Sequence, residues 1–360
     1  APSPSAVLPF YAVAAIVLLV TTVLMLASYT SFTGHFFQPH ILAITHLAAL
    51  GWGTMLIFGA SHQLLPVVME VHLFSERLAK GCFWLLLPGV ALLAGSFWSF
   101  RIGWTMEVGA LLVLTAVVLY VVNVYRTASQ NKHWTITAEC IVTASWWLLA
   151  TAILGTLLVF NLRYAFFPRE HLYYLKIHAH LGMAGWFLLL IMGVASRLIP
   201  MFLLSHHEAG KPVKVPYYCV NIALIAFVVM AFFFHTERYW PLCALTALVG
   251  VVFYGKFVRE AYKGAMRKKL DPPMKITMAA VGLLIVPFIL LAVLALTGRR
   301  VDPTTTAFSL TYGISILGGF VTAMILGQTF KTLPFIVWMH RYKQLIGKMK
   351  TPLPRELYRE

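Results

Sequence analysis

HAHLGMAGWFLLLIMGVASRLIP, residues 178–200, decides the fold class. Nothing charged follows its two histidines until Arg197, and about twenty such residues are what a helix needs to cross a bilayer. Two residues apart on a helix diverge by about 200°, so His178 and His180 point to opposite sides and are able to serve two separate sites. Ionisable groups inside a membrane are costly to bury, which makes this pair the first functional candidate in the chain.

The pattern occurs three times. THLAALGWGTMLIFGASHQLLP, residues 45–66, carries His46 twenty residues before Pro66, as His180 stands twenty before Pro200. The two copies are 134 residues apart (180 minus 46), and a second step of 134 reaches ISILGGFVTAMILGQTFKTLP at 314–334, where Ile314 takes the histidine position. Gly51, Gly185 and Gly319 keep this register, as do Gly59, Gly193 and Gly327, and beyond the prolines His72, His206 and His340. Shared Gly, Pro and His without a gap read as an internal repeat.

Composition sets the class. With 60% hydrophobic and 11% charged residues and a mean hydropathy of +0.81, the 360-residue chain reads as an all-α, polytopic membrane helix bundle forming one integral membrane domain. Apolar spans near 8–30, 41–67, 78–100, 105–124, 138–160, 177–203, 217–235, 239–258, 274–297 and 306–334 predict about ten transmembrane helices. The repeat divides them 4+4+2, in units of about 1–134, 135–268 and a truncated 269–360. The net charge of +16 sits in alternate loops, at Arg77, Lys80, Arg126, Lys132, Lys211, Lys214, Arg267, Lys268 and Lys269 and in the tail from Arg341. That asymmetry predicts lipid and not nucleic acid as the partner, with both termini cytoplasmic in the inner membrane. Without a basic leader, the first span reads as a retained helix.

Most histidines then fall toward the outer side: His35, His40, His46, His171, His178, His180 and His235. Such a layer suits a metal or haem site, with His46, His178, His180 and His235 as ligand candidates. His40 suits the headgroup region equally well, and His62, lower on the second span, suits a hydrogen-bonded polar residue. Arg299 and Arg300 match the carboxylates of a haem, or serve as ordinary loop solubility. The glycines eight apart leave one helix stripe free of side chains, for a neighbouring helix or for a flat ring. Cys82, Cys140, Cys219 and Cys243 have no paired spacing and read as small buried residues.

The HxH helix resembles the tenth helix of the catalytic subunit of haem-copper oxidases, in particular the C-family cytochrome c oxidases and nitric oxide reductases. The resemblance implies His178 as a high-spin haem ligand and His180 with His46 as a bis-histidine pair on a low-spin haem. The family's threefold pseudo-repeat agrees with the 134-residue period. This chain departs from the family in length and in placing HxH in its second unit, and it lacks the adjacent histidine pair of the copper site. One or two b-type haems are thus expected, and copper lacks a complete ligand set.

The expected function is a b-type cytochrome subunit passing electrons in a respiratory chain, with other respiratory subunits, a cytochrome c or a quinol as partners. A haem or haem-metal protein that reduces or senses nitric oxide or oxygen is the alternative. A cofactor-free transporter built from repeats is the third reading. Proton-pumping oxygen reduction is not expected, since the spans offer no Asp, Glu or Lys relay.

Overall fold

The computed structural model describes residues 2–131, 134–207, 209–266, 269–297, 302–346 and 348–357. Among these residues there is no strand, and ten helices are long and apolar enough to cross a membrane. They are α1 (Pro4–Ala27), α2 (Pro39–Met69), α3 (Glu76–Trp98), α4 (Trp104–Ala128), α5 (Ile136–Tyr164), α6 (His171–Leu203), α7 (Gly210–Phe232), α8 (Trp240–Lys263), α9 (Pro272–Leu296) and α10 (Pro303–Arg341). The chain is a multi-pass helical membrane protein. Its periphery presents Leu19, Leu26, Trp84, Trp104, Ile222 and Phe233 to the lipid.

Local chemistry sets the helix starts. Proline, whose missing N–H is no loss in a first turn, opens α2 at Pro39, α9 at Pro272 and α10 at Pro303. Side-chain oxygens of Ser75, Thr135, Asp271 and Asp302 accept the free backbone N–H groups at the starts of α3, α5, α9 and α10. Pro66 and Pro200 stand inside their helices, within the expected spans, whereas α10 runs on past Pro334, where its apolar run stops, to Arg341. At the other end, α2 and α6 begin earlier than the apolar runs, so His46 and His178 each lie seven residues, about 10 Å, inside the helix.

Three features recur at the 134-residue spacing. A π-helical segment follows each histidine position, over Leu47–Thr54, Leu181–Leu188 and Ser315–Val321. Left-handed residues close α2 and α6, Glu70 at φ 55° and Leu204 at φ 53°. The third is a helix crossing. A Cβ added at Gly59 would fall 2.6 Å from Phe10 of α1, one at Gly193 2.4 Å from Cys140 of α5, and one at Gly327 2.5 Å from Thr277 of α9. At these positions the glycine stripe therefore serves helix packing and not a ring: α2, α6 and α10 each cross the first helix of their own unit at van der Waals distance. All four cysteines are free, and Cys82, Cys140 and Cys243 are buried.

Because Cys140 meets Gly193 through its Cβ, a side chain there cannot be accommodated by a rotamer change, and overpacking of this kind costs about 1–3 kcal/mol. Gly193→Val is expected to lower the thermal midpoint measured in detergent, whereas Gly95→Ala, at an exposed site with nothing within 4 Å, leaves it unchanged or raises it.

Candidate functional site

A cavity of about 960 Å³ lies at the histidine end of the bundle, and residues of all ten helices line it. Its lining is largely apolar, with polar groups from His46, His171, His178, His180 and Tyr312, from several threonines, and from the Lys176–Glu237 ion pair. Two tryptophans wall it on the side of the π segments. The indole N–H of Trp186 on α6 donates to Thr54 Oγ1 on α2 at 3.0 Å, and that of Trp52 on α2 donates to Thr322 Oγ1 on α10 at 3.1 Å. Trp52 and Trp186 are 134 residues apart, and Thr54 and Thr322 are twice that. The same bond thus links α6 to α2 and α2 to α10. In the third link, Phe320 and Leu188 hold the corresponding positions and no such bond is available.

The histidines follow this cyclic order. His46 of α2 faces His178 of α6, with ring centres 6.4 Å apart and planes within 18° of parallel. His180, on the other side of α6, faces Tyr312 of α10, with ring centres 5.9 Å apart and planes 28° apart. Tyr312 occupies in the third unit the position that His178 has in the second, so both contacts join the same pair of positions in neighbouring units. The fold therefore does not make the pairing of His46 with His180 that the resemblance implied. The two α6 histidines point to opposite sides, and only His178 is on the side of α2.

Each imidazole is held by one nitrogen. His46 Nδ1 lies 2.7 Å from the carbonyl oxygen of Leu42, His180 Nδ1 2.8 Å from that of Lys176, and His178 Nδ1 3.0 Å from that of Thr151 on α5. A carbonyl only accepts, so Nδ1 carries the proton in each ring and Nε2 keeps its lone pair for a ligand. Phe97 covers His46 at 4.7 Å. Gly155 of α5 makes room for His178: a Cβ there would fall 2.7 Å from its Cε1.

The remaining candidates lie elsewhere. His235 is exposed just beyond the end of α7, with φ 52°, and does not reach the cavity group. Arg299 and Arg300 lie outside the described residues. His40 accepts or donates a hydrogen bond with Ser31 Oγ at 2.9 Å and packs on Trp98. His62, expected to be hydrogen-bonded, is fully buried between Phe10 and Tyr120, and neither ring nitrogen has a partner. Among the described residues no three His, Cys, Asp or Glu side chains gather around a common point. The closest such arrangement here is a facing pair of imidazoles, His46 and His178. Neither Gly155 nor Tyr312 stands out among the residues singled out from the sequence. The register of Tyr312, 134 after His178, was the signal that could have found it.

The chain matches no protein-family model and no curated protein.

The Trp52 to Thr322 bond crosses between helices far apart in sequence in an apolar surrounding. Trp52→Phe and Thr322→Val are each expected to destabilise the protein. In a double-mutant cycle on thermal or denaturant unfolding, the pair should couple by about 1 kcal/mol.

Proposed function

We propose that this protein is a b-type membrane cytochrome that holds a haem between His46 and His178 and carries electrons in a respiratory membrane. The observation behind this reading is the spacing of the two rings. Two imidazoles holding one metal, each bound at about 2.0 Å with the ring centre about 1.1 Å beyond the bonding nitrogen, would stand about 6.2 Å apart centre to centre. The rings of His46 and His178 are 6.4 Å apart and nearly parallel. Direct ring stacking would bring them closer, and a hydrogen-bonded pair would leave no room for a metal.

The residues fit the group in other respects. Both Nδ1 protons are tied to carbonyl oxygens, which fixes each ring's tautomer and rotation before a ligand arrives. The volume of the cavity suits a macrocycle, and its apolar wall keeps water from the iron. When bound, the haem supplies a one-electron iron couple. A haem held by both His46 and His178 would offer a gas no open position, which favours the electron carrier over a nitric oxide or oxygen catalyst at His178. Arg299 and Arg300 remain the candidates for pairing with the haem carboxylates.

A distant relation to the haem-copper oxidases is part of the proposal, supported by the HxH helix and by the recurrence of structural features every 134 residues. The site nonetheless uses the first histidine of HxH, where the resemblance pointed to the second. The clustering of Lys and Arg in alternate loops supports an inner-membrane location with both termini in the cytoplasm.

The test is spectroscopic. Purified protein is expected to give a pyridine haemochrome of b type with one haem per chain, and a low-spin signal in electron paramagnetic resonance. His46→Ala and His178→Ala should each lose that signal, while His180→Ala keeps it. Retention of the signal by His178→Ala, with loss in His180→Ala, would sink the assignment. Gly155→Val should shift or abolish the same signal without removing either ligand, because the added side chain occupies the place of the His178 ring.

A further inference from the structure

The second face of α6 offers a different arrangement in the same cavity. Tyr312 Oη lies 3.3 Å from His180 Nε2, and since His180 Nδ1 carries the proton, the phenol donates and the imidazole accepts. This gap does not suit a second iron. Axial ligation by an imidazole and a phenolate needs about 4 Å between the two bonding atoms, and here they already meet in a hydrogen bond. What the pair can offer a ligand is one donor and one acceptor, side by side.

The surroundings define the shape of that ligand. The ring of Phe227 lies 5.4 Å from that of His180, and the ring of Trp240 lies 4.8 Å from that of Phe227, so aromatic faces line the approach. The indole N–H of Trp240, in the same cavity wall, has no hydrogen-bond partner, and a buried donor left without an acceptor is uncommon. Beyond these groups the cavity is closed by Phe288, Leu291, Leu294 and Ala295 of α9. In its last twelve residues, Ile285–Leu296, that helix buries only Pro287, so one loosely packed helix separates the cavity from the lipid. A ligand entering there arrives from the bilayer.

We propose that the hydrogen-bonded pair His180 and Tyr312, with the Phe227 and Trp240 rings beside it, is the head-group site of a lipid-soluble quinone. A quinone ring is flat and apolar-tailed, and its carbonyls only accept, which calls on the Tyr312 hydroxyl. The reduced form donates O–H instead, which calls on the lone pair of His180 Nε2. Both forms therefore find their complement in the one pair, as an exchangeable redox carrier requires and as a fatty acid or sterol does not. The site lies two residues along α6 from His178. It is separate from the haem position, and binding there does not depend on the haem reading.

The experiment is equilibrium binding of a radiolabelled decyl-benzoquinone to the full-length protein in lipid nanodiscs, with empty nanodiscs subtracted and the haem spectrum of each sample recorded. Wild type is expected to show one saturable site. Tyr312→Phe should weaken it about tenfold, the effect of losing one hydrogen bond of about 1.4 kcal/mol, and His180→Phe more, each with the haem spectrum of wild type. Absence of saturable binding, affinities within twofold of wild type in both variants, or two haems per chain would overturn the proposal. A haem-free wild type that still binds the quinone saturably, and loses it in the variants, would sink the haem reading alone.

Discussion

An indole N–H buried in an apolar interior is costly to leave without an acceptor, and the way Trp52 and Trp186 find theirs ties together the helices around the cavity. Each reaches to a threonine in a different unit, so α6 is bound to α2 and α2 to α10. Once that order is fixed, the directions of the side chains near the histidine end follow from helix geometry alone. The side of α6 that bears His178 turns toward α2, and the side that bears His180 turns toward α10. The three gaps are built alike but are not equipped alike. One has two imidazoles, one an imidazole and a phenol, and in the third the corresponding positions are Ile314 and Ile44.

Local hydrogen bonding then turns equivalent positions into different chemistry. His46 and His180 both anchor Nδ1 on the carbonyl four residues back, at Leu42 and Lys176, which are themselves 134 apart. His178, on the other face of its helix, instead uses the carbonyl of Thr151 on α5, which Gly155 allows it to approach. All three rings line the cavity, and His46 and His178 face each other with ring centres 6.4 Å apart. Tyr312, with a hydroxyl where the second unit has an imidazole, closes the neighbouring gap with a hydrogen bond.

Much of this was legible in the sequence. The ten spans, and His46, His178 and His180 inside two of them, are properties of single helices, which apolar runs report directly. The pairing of His46 with His178 was not, because it depends on which unit lies clockwise of which, and periodicity along one chain has no hand. The use of the glycine stripe was left open for a similar reason. Gly59 and Gly193 look the same whether a ring or a helix approaches them, and only the tertiary neighbours Phe10 and Cys140 decide it. The apolar run that stops at Pro334 misplaces the end of α10, because the helix continues past it to His340 and Arg341. Arg299 and Arg300 lie outside the described residues.

The π segments change how each long helix is to be counted. A π turn closes its hydrogen bond one residue later than an α turn, so the helix takes up an extra residue without a loop. Here the segments stand at the same register in α2, α6 and α10, directly after His46, His180 and Ile314. A helical period counted from one end through the segment therefore slips by one residue, about 100°. The half-helix that bears the histidines faces its neighbours in a direction that the packing of Gly59, Gly193 and Gly327 at the other end does not set by simple periodicity.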